Sequence, residues 1–84
     1  MIHFTRHAIE KFEVLERHGV LATKDLVIEI LNKPKLIDHS RWPLFIAQGE
    51  LDAKHVLRVV FKKENGDIIV ITFYPARKNK YEKP

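Results

Sequence analysis

His55-Val-Leu-Arg-Val-Val-Phe-Lys-Lys-Glu-Asn-Gly-Asp-Ile-Ile-Val-Ile-Thr-Phe-Tyr74 is the stretch on which the fold turns. Asn65 and Gly66 both accept positive φ, so the pair marks a tight hairpin turn between two long β-forming runs. A two-residue turn sets Glu64 against Asp67, Val59 against Thr72 and Leu57 against Tyr74. In that register Leu57, Val59, Phe61, Ile68, Val70, Thr72 and Tyr74 share one face. Val56, Arg58, Val60, Lys62, Ile69, Ile71 and Phe73 share the other. Both faces are largely apolar, as in central strands covered by helices on one side and by a groove or partner on the other. A three-residue loop with a bulge would shift the pairing by one residue and bring Arg58 and Thr72 together.

Working back from the hairpin, Lys35–His39 and Leu44–Gln48 are short strand-like runs joined by the Ser40-Arg41-Trp42-Pro43 turn. Pro43 argues against a central strand there. Two helices precede them. Thr5 caps one over about residues 6–18, with Ala8, Phe12 and Leu15 as its apolar stripe and Gly19 at its end. Arg6–Glu10 and Glu13–Arg17 form i,i+4 pairs on its solvated side. Thr23 caps the second helix, Leu26, Val27, Ile30 and Leu31 face the core, and Pro34 stops it. Met1–Phe4 reads as an edge strand. The order β-α-α-β-β-β-β predicts an α+β domain over residues 1–76, with an antiparallel sheet, both helices on one face, and a basic tail over 77–84.

Eighty-four residues allow one small domain. Cysteine is absent, which excludes disulfides and thiolate chemistry. No apolar run is long enough to span a membrane and the N-terminus lacks a signal-peptide core, so a cytoplasmic protein is expected. Lys and Arg balance Asp and Glu over residues 1–33, so the net charge of +4 falls on the sheet and tail. A one-sided basic patch is the electrostatic footprint of a nucleic-acid binder, and equally of a solvated lysine-rich surface. The histidines at 3, 7, 18, 39 and 55 show no metal-ligand spacing, and neither a glycine-rich phosphate loop nor a nucleophile elbow is present. No cofactor is implied.

Several segments resemble known families. Phe4-Thr-Arg-His-Ala-Ile-Glu-Lys-Phe12 resembles the His-Ala-x-x-(Arg/Lys) opening of a family of small bacterial and archaeal domains of unknown function. Arg17-His-Gly-Val20, with Asp25-Leu-Val-Ile-Glu-Ile-Leu31 and Pro34, is similar to that family's second helix and to the Lys-His-Gly-Val segment of BrnT-type toxins. Leu57-Arg-Val-Val60 and Val70-Ile-Thr-Phe-Tyr74 resemble its closing hairpin, and Ala76-Arg77 through Tyr81 the tail of BrnT and RelE relatives. The resemblance implies a RelE-like fold and a metal-independent endoribonuclease acting on free or ribosome-bound RNA, neutralised by an antitoxin protein. The chain departs from the pattern at Arg58, where histidine is common, at Pro75, where an acidic residue is common, and at Lys11, which replaces arginine.

Such cleavage needs a base for the 2′-hydroxyl, cations for the charged phosphorane and an acid for the leaving oxygen. His7 matches the family position at a helix N-terminus and is the base candidate. Arg58 is the phosphate candidate; its alternative is a structural ion pair with Asp38 or Glu29. Tyr74 completes the proposed catalytic set, by stacking or hydrogen bonding. Lys11, His55, Thr72, Arg77, Lys78 and Lys80 are the RNA-binding candidates, and Trp42 is a possible base-stacking residue beside Arg41. On this reading His7→Ala or Arg58→Ala abolishes cleavage and leaves the fold intact. The rival expectations are a non-catalytic RNA-binding module, or an interaction protein whose sheet is covered by a partner or a second copy.

Overall fold

The computed structural model describes residues 1–81, with side chains through residue 79. The elements are β1 (Ile2–Phe4), α1 (Arg6–Arg17), α2 (Lys24–Asn32), β2 (Leu36–Asp38), β3 (Phe45–Glu50), β4 (His55–Glu64), β5 (Asp67–Arg77) and one helical turn, α3 (Lys78–Tyr81). They form one five-stranded sheet in the order β1-β5-β4-β3-β2. The sheet is mixed, which corrects the antiparallel expectation. β1 is an edge strand, as expected, but it runs parallel to β5, with Ile2 beside Ile68 and Phe4 beside Val70. A parallel pair needs a long crossover, and everything between β1 and β5 supplies it.

The helix boundaries follow their caps. Thr5 Oγ1 accepts from the Ala8 N–H at 3.1 Å, and Thr23 Oγ1 accepts from the Leu26 N–H at 3.1 Å. α1 ends where Gly19 takes φ +80°, with Gly19 N–H donating to Glu16 and Val20 N–H to Leu15. That is the paired bonding of a glycine-terminated helix. The ion pairs Arg6–Glu10 and Arg17–Glu13 lie on the exposed side of α1.

Both helices pack on one face of the sheet. The core joins Ala8 and Leu15 of α1 and Val27 and Ile30 of α2 to Ala47, Leu57, Val59, Phe61, Val70 and Phe73. Phe12 meets Phe73 with ring centroids 4.5 Å apart. α2 sits so close to β3 that a Cβ on Gly49 would fall 2.6 Å from Ile30 Cγ1.

The hairpin keeps its two-residue turn, with Asn65 at φ 52° and Gly66 at φ 83°, and Glu64 pairs with Asp67. The register then shifts within the strands. Phe61 pairs with Val70 but Val60 pairs with Thr72, so Ile71 is a bulge residue. One inserted residue flips the rest of β5. Phe73 therefore joins Val59 on the helix side, while Thr72 and Tyr74 cross to the face of Val60 and Arg58. The expected pairings of Val59 with Thr72 and Leu57 with Tyr74 are replaced by Val59–Phe73 and Arg58–Tyr74. The expected tail also starts differently: Arg77 ends β5, and Lys78 begins α3.

Candidate functional site

The bulge decides the surroundings of Arg58. It sits on β4 between Gln48 on β3 and Tyr74 on β5, with Asp38 on β2 one strand further out. Its guanidinium is spent on all three. Nε donates to Tyr74 Oη at 3.1 Å, NH1 to Gln48 Oε1, and NH2 to Asp38 Oδ2 at 2.8 Å. Arg58 is 4% exposed and Gln48 fully buried. Burial opposes the guanidinium charge, but the bonds to Tyr74 and Asp38 outweigh it and raise its pKa. Asp38 accepts from the Ser40 backbone N–H at 2.9 Å, and Ser40 and Arg58 together hold its carboxyl down to about 2. Of the two alternatives for Arg58, this is the structural ion pair, and Asp38 is the partner.

His7 lies elsewhere. It is exposed in the first turn of α1, and α1 packs on the helix side of the sheet. Arg58 and Tyr74 point to the opposite side, so the sheet itself stands between them and His7. Lys11, half-buried on α1, is on the same side as His7. Thr72 shares the face of Arg58 and Tyr74.

A different group of candidates does converge. A cleft of about 370 Å³ at the open end of the hairpin is lined by Lys54, His55, Arg77, Lys78 and Asn79. His55 and Arg77 are directly paired across β4 and β5. The Lys78 N–H donates to the Lys54 carbonyl at 3.0 Å, which ties α3 to the β3–β4 connection. Lys78 Nζ binds Glu50 at 3.0 Å, and Lys35 approaches the same carboxylate at 3.5 Å, so both hold Glu50 ionised below its usual range. Among the described residues, Lys54 and Arg77 have no carboxylate within ion-pair distance. The side chain of Lys80 and residues 82–84 lie outside the described residues.

Within this cleft His55 is oriented by Asp52. Asp52 Oδ1 accepts from the backbone N–H groups of Lys54 and His55, each at 2.8 Å, and faces His55 Nδ1 at 2.9 Å. Those bonds, that from Lys54 first, lower the Asp52 pKa. A carboxylate only accepts, so the neutral ring carries its hydrogen on Nδ1 and keeps the Nε2 lone pair. His55 also borders a second cleft, of about 360 Å³, with Gly19, Val20, Leu21, Leu51, Asp52 and Pro75. The sequence reading named His55, Arg77 and Lys78 but missed Asp52 and Lys54. The available signal was Asp52-Ala-Lys-His55, an aspartate opening a tight connection three residues before a histidine.

Among the described residues, no three His, Asp or Glu side chains group to hold a metal ion, and no helix is long and apolar enough to cross a membrane. No family model, curated protein or solved structure matches the chain.

Proposed function

We propose that this protein is a RelE-like, toxin-type RNA-binding protein that cuts RNA without a metal at the open end of the hairpin. The observation that supports the reading is the Asp52-held His55 in a cleft walled by Lys54, Arg77 and Lys78. Asp52 fixes the ring, and His55 Nε2 takes the proton of a ribose 2′-hydroxyl. The 2′-oxygen bonds to phosphorus and the bond from phosphorus to the 5′-oxygen breaks. The 5′-oxygen takes a proton from solvent, and the products are a 2′,3′-cyclic phosphate and a 5′-hydroxyl. Arg77 and Lys54 offset the charge gathered on the phosphorane. His7, Arg58 and Tyr74 have no part in this step. Arg58 and Tyr74 instead brace the strands that carry the cleft, and an antitoxin partner of this toxin type would act by covering it.

The test is end-labelled RNA incubated with the protein in excess EDTA, followed by analysis of product ends. Cleavage to a cyclic phosphate is expected, reduced at least about a hundredfold in His55→Ala and retained in His7→Ala. Unchanged cleavage by His55→Ala refutes the assignment. RNA retarded on a gel but left intact selects the non-catalytic binding module, a reading favoured by the closure of Arg58 onto protein groups rather than toward an open surface.

A further inference from the structure

Trp42 is the chain's single tryptophan. It is 74% exposed, an unusual place for the largest apolar ring of a small protein. The ring nonetheless joins a chain of aromatic contacts. Its edge meets Phe45 at 5.8 Å and 83°, Phe45 stacks on Phe61 at 5.5 Å and 24°, and Phe61 belongs to the core. His39 meets Phe45 edge-on from another direction at 5.5 Å. The loop backbone is tied as well, by Trp42 N–H to the His39 carbonyl and Leu44 N–H to the Arg41 carbonyl. An aromatic column thus runs from the core to a ring held out in water. Two exposed cations flank it: Arg41, adjacent in sequence, and Lys63, whose ammonium lies 5.2 Å over the Phe45 ring.

We infer that Trp42 is a stacking platform for an unpaired nucleobase, with Arg41 and Lys63 holding the adjoining phosphates. At 74% exposure the ring presents its surface to solvent. A flat π-face beside cations suits a planar base on an anionic strand; an aliphatic side chain needs a concave pocket to bury itself. The inference rests on the RNA reading but concerns a separate place. Phe45 pairs with Phe61, six residues along β4 from His55, which puts the platform about 20 Å from the cleft. That is beyond the nucleotides at a scissile bond and within reach of a longer strand.

The probe is a single-stranded oligodeoxyuridylate of about twelve nucleotides, which lacks the attacking hydroxyl and survives the titration. Tryptophan fluorescence should be quenched saturably, with a midpoint weakened several-fold in Arg41→Ala and in Lys63→Ala and by added salt. By gel shift, Trp42→Ala should lose roughly 5- to 100-fold in affinity, and Trp42→Phe should keep most of it. A strand that is retarded on the gel while the fluorescence stays unmoved overturns the platform and leaves the cleft reading standing. Quenching by this probe, together with end-labelled RNA left uncut in EDTA, supports the platform and overturns the cleft's chemistry instead. Absence of any binding overturns both. A blue shift on concentrating the protein alone assigns the ring to contact between copies, and overturns the platform too.

Discussion

Replacing Arg58 by alanine separates a structural arginine from a phosphate ligand. The guanidinium is 4% exposed and divides its donors among Asp38, Gln48 and Tyr74 across four strands. Its removal takes a donor from the fully buried Gln48 oxygen, a loss of about 1–3 kcal/mol. It also removes the buried stem, and frees a carboxylate that is still partly wetted, since the Asp38 side chain is 27% exposed. Breaking a fully buried pair costs about 3–5 kcal/mol. Solvent access at Asp38 places this case at the lower end, about 3 kcal/mol. A domain of this size has roughly 4–12 kcal/mol of stability in all, so Arg58→Ala forfeits a large share. Urea unfolding followed by circular dichroism reads the change as a lower midpoint. The Arg58→Met variant keeps the stem, and in combination with Asp38→Asn it should recover much of the loss, because a buried ion pair and an apolar replacement of similar volume differ little. A destabilisation under about 1 kcal/mol in Arg58→Ala, with RNA cleavage abolished, would refute this reasoning and restore Arg58 to the catalytic set.

The same network predicts an acid limb. Because Ser40 and Arg58 lower the Asp38 carboxyl to about 2 against an ordinary 3.8, its contribution is complete above pH 4 and is lost as the pH falls toward 2. Asp38→Asn should flatten stability over that range by up to about 2 kcal/mol; an unchanged acid profile contradicts the assignment. Gly49→Ala forces a methyl against Ile30 Cγ1 and should cost about 1–3 kcal/mol by thermal unfolding. Gly66→Ala places a side chain at φ 83° and should cost about 1–2 kcal/mol, with strand content retained by circular dichroism. Arg77→Ala should weaken RNA binding and lower its salt slope by about 1; an unaltered slope removes Arg77 from the phosphate contacts.

Most of the architecture was legible because local signals agree with one another. Thr5 and Thr23 cap where caps were expected, Gly19 and Pro34 end helices, and Asn65-Gly66 turns the hairpin. The parallel course of β1 was not legible, since three residues carry no directional signal and their pairing with β5 is a long-range choice. Nor was the bulge at Ile71. Alternation gives no guide there because Ile68 through Phe73 is apolar almost throughout, so a one-residue shift exposes no polar error. That single unread residue carried the site with it. It moved Thr72 and Tyr74 to the face of Arg58, and Phe73 into the core.

The bulge also accounts for why a buried arginine and a basic cleft coexist on one small sheet. Without it, Leu57 would face Tyr74, Phe73 would leave Phe12, and Arg58 would meet no hydroxyl on β5. With it, the residues buried between sheet and helices are all apolar and the opposite face closes a polar network across β2, β3, β4 and β5. The network fixes the relative positions of those strands from their middles. The cations at their ends are then presented by a rigid frame: Lys54 and His55 at the start of β4, Arg77 at the end of β5, and Lys78 bonded back to Lys54. A phosphate-binding cleft built from exposed side chains gains from such a frame, because preorganised cations lose less freedom on binding. On the proposed reading Arg58 influences RNA only through the frame. A conservative Arg58→Lys variant that stays folded, keeping the charge but losing the fork that reaches three partners, should raise the RNA concentration needed for half-maximal cleavage more than it lowers the maximal rate. The reverse pattern, a collapsed maximal rate at unchanged RNA dependence, would place Arg58 at the reacting phosphate.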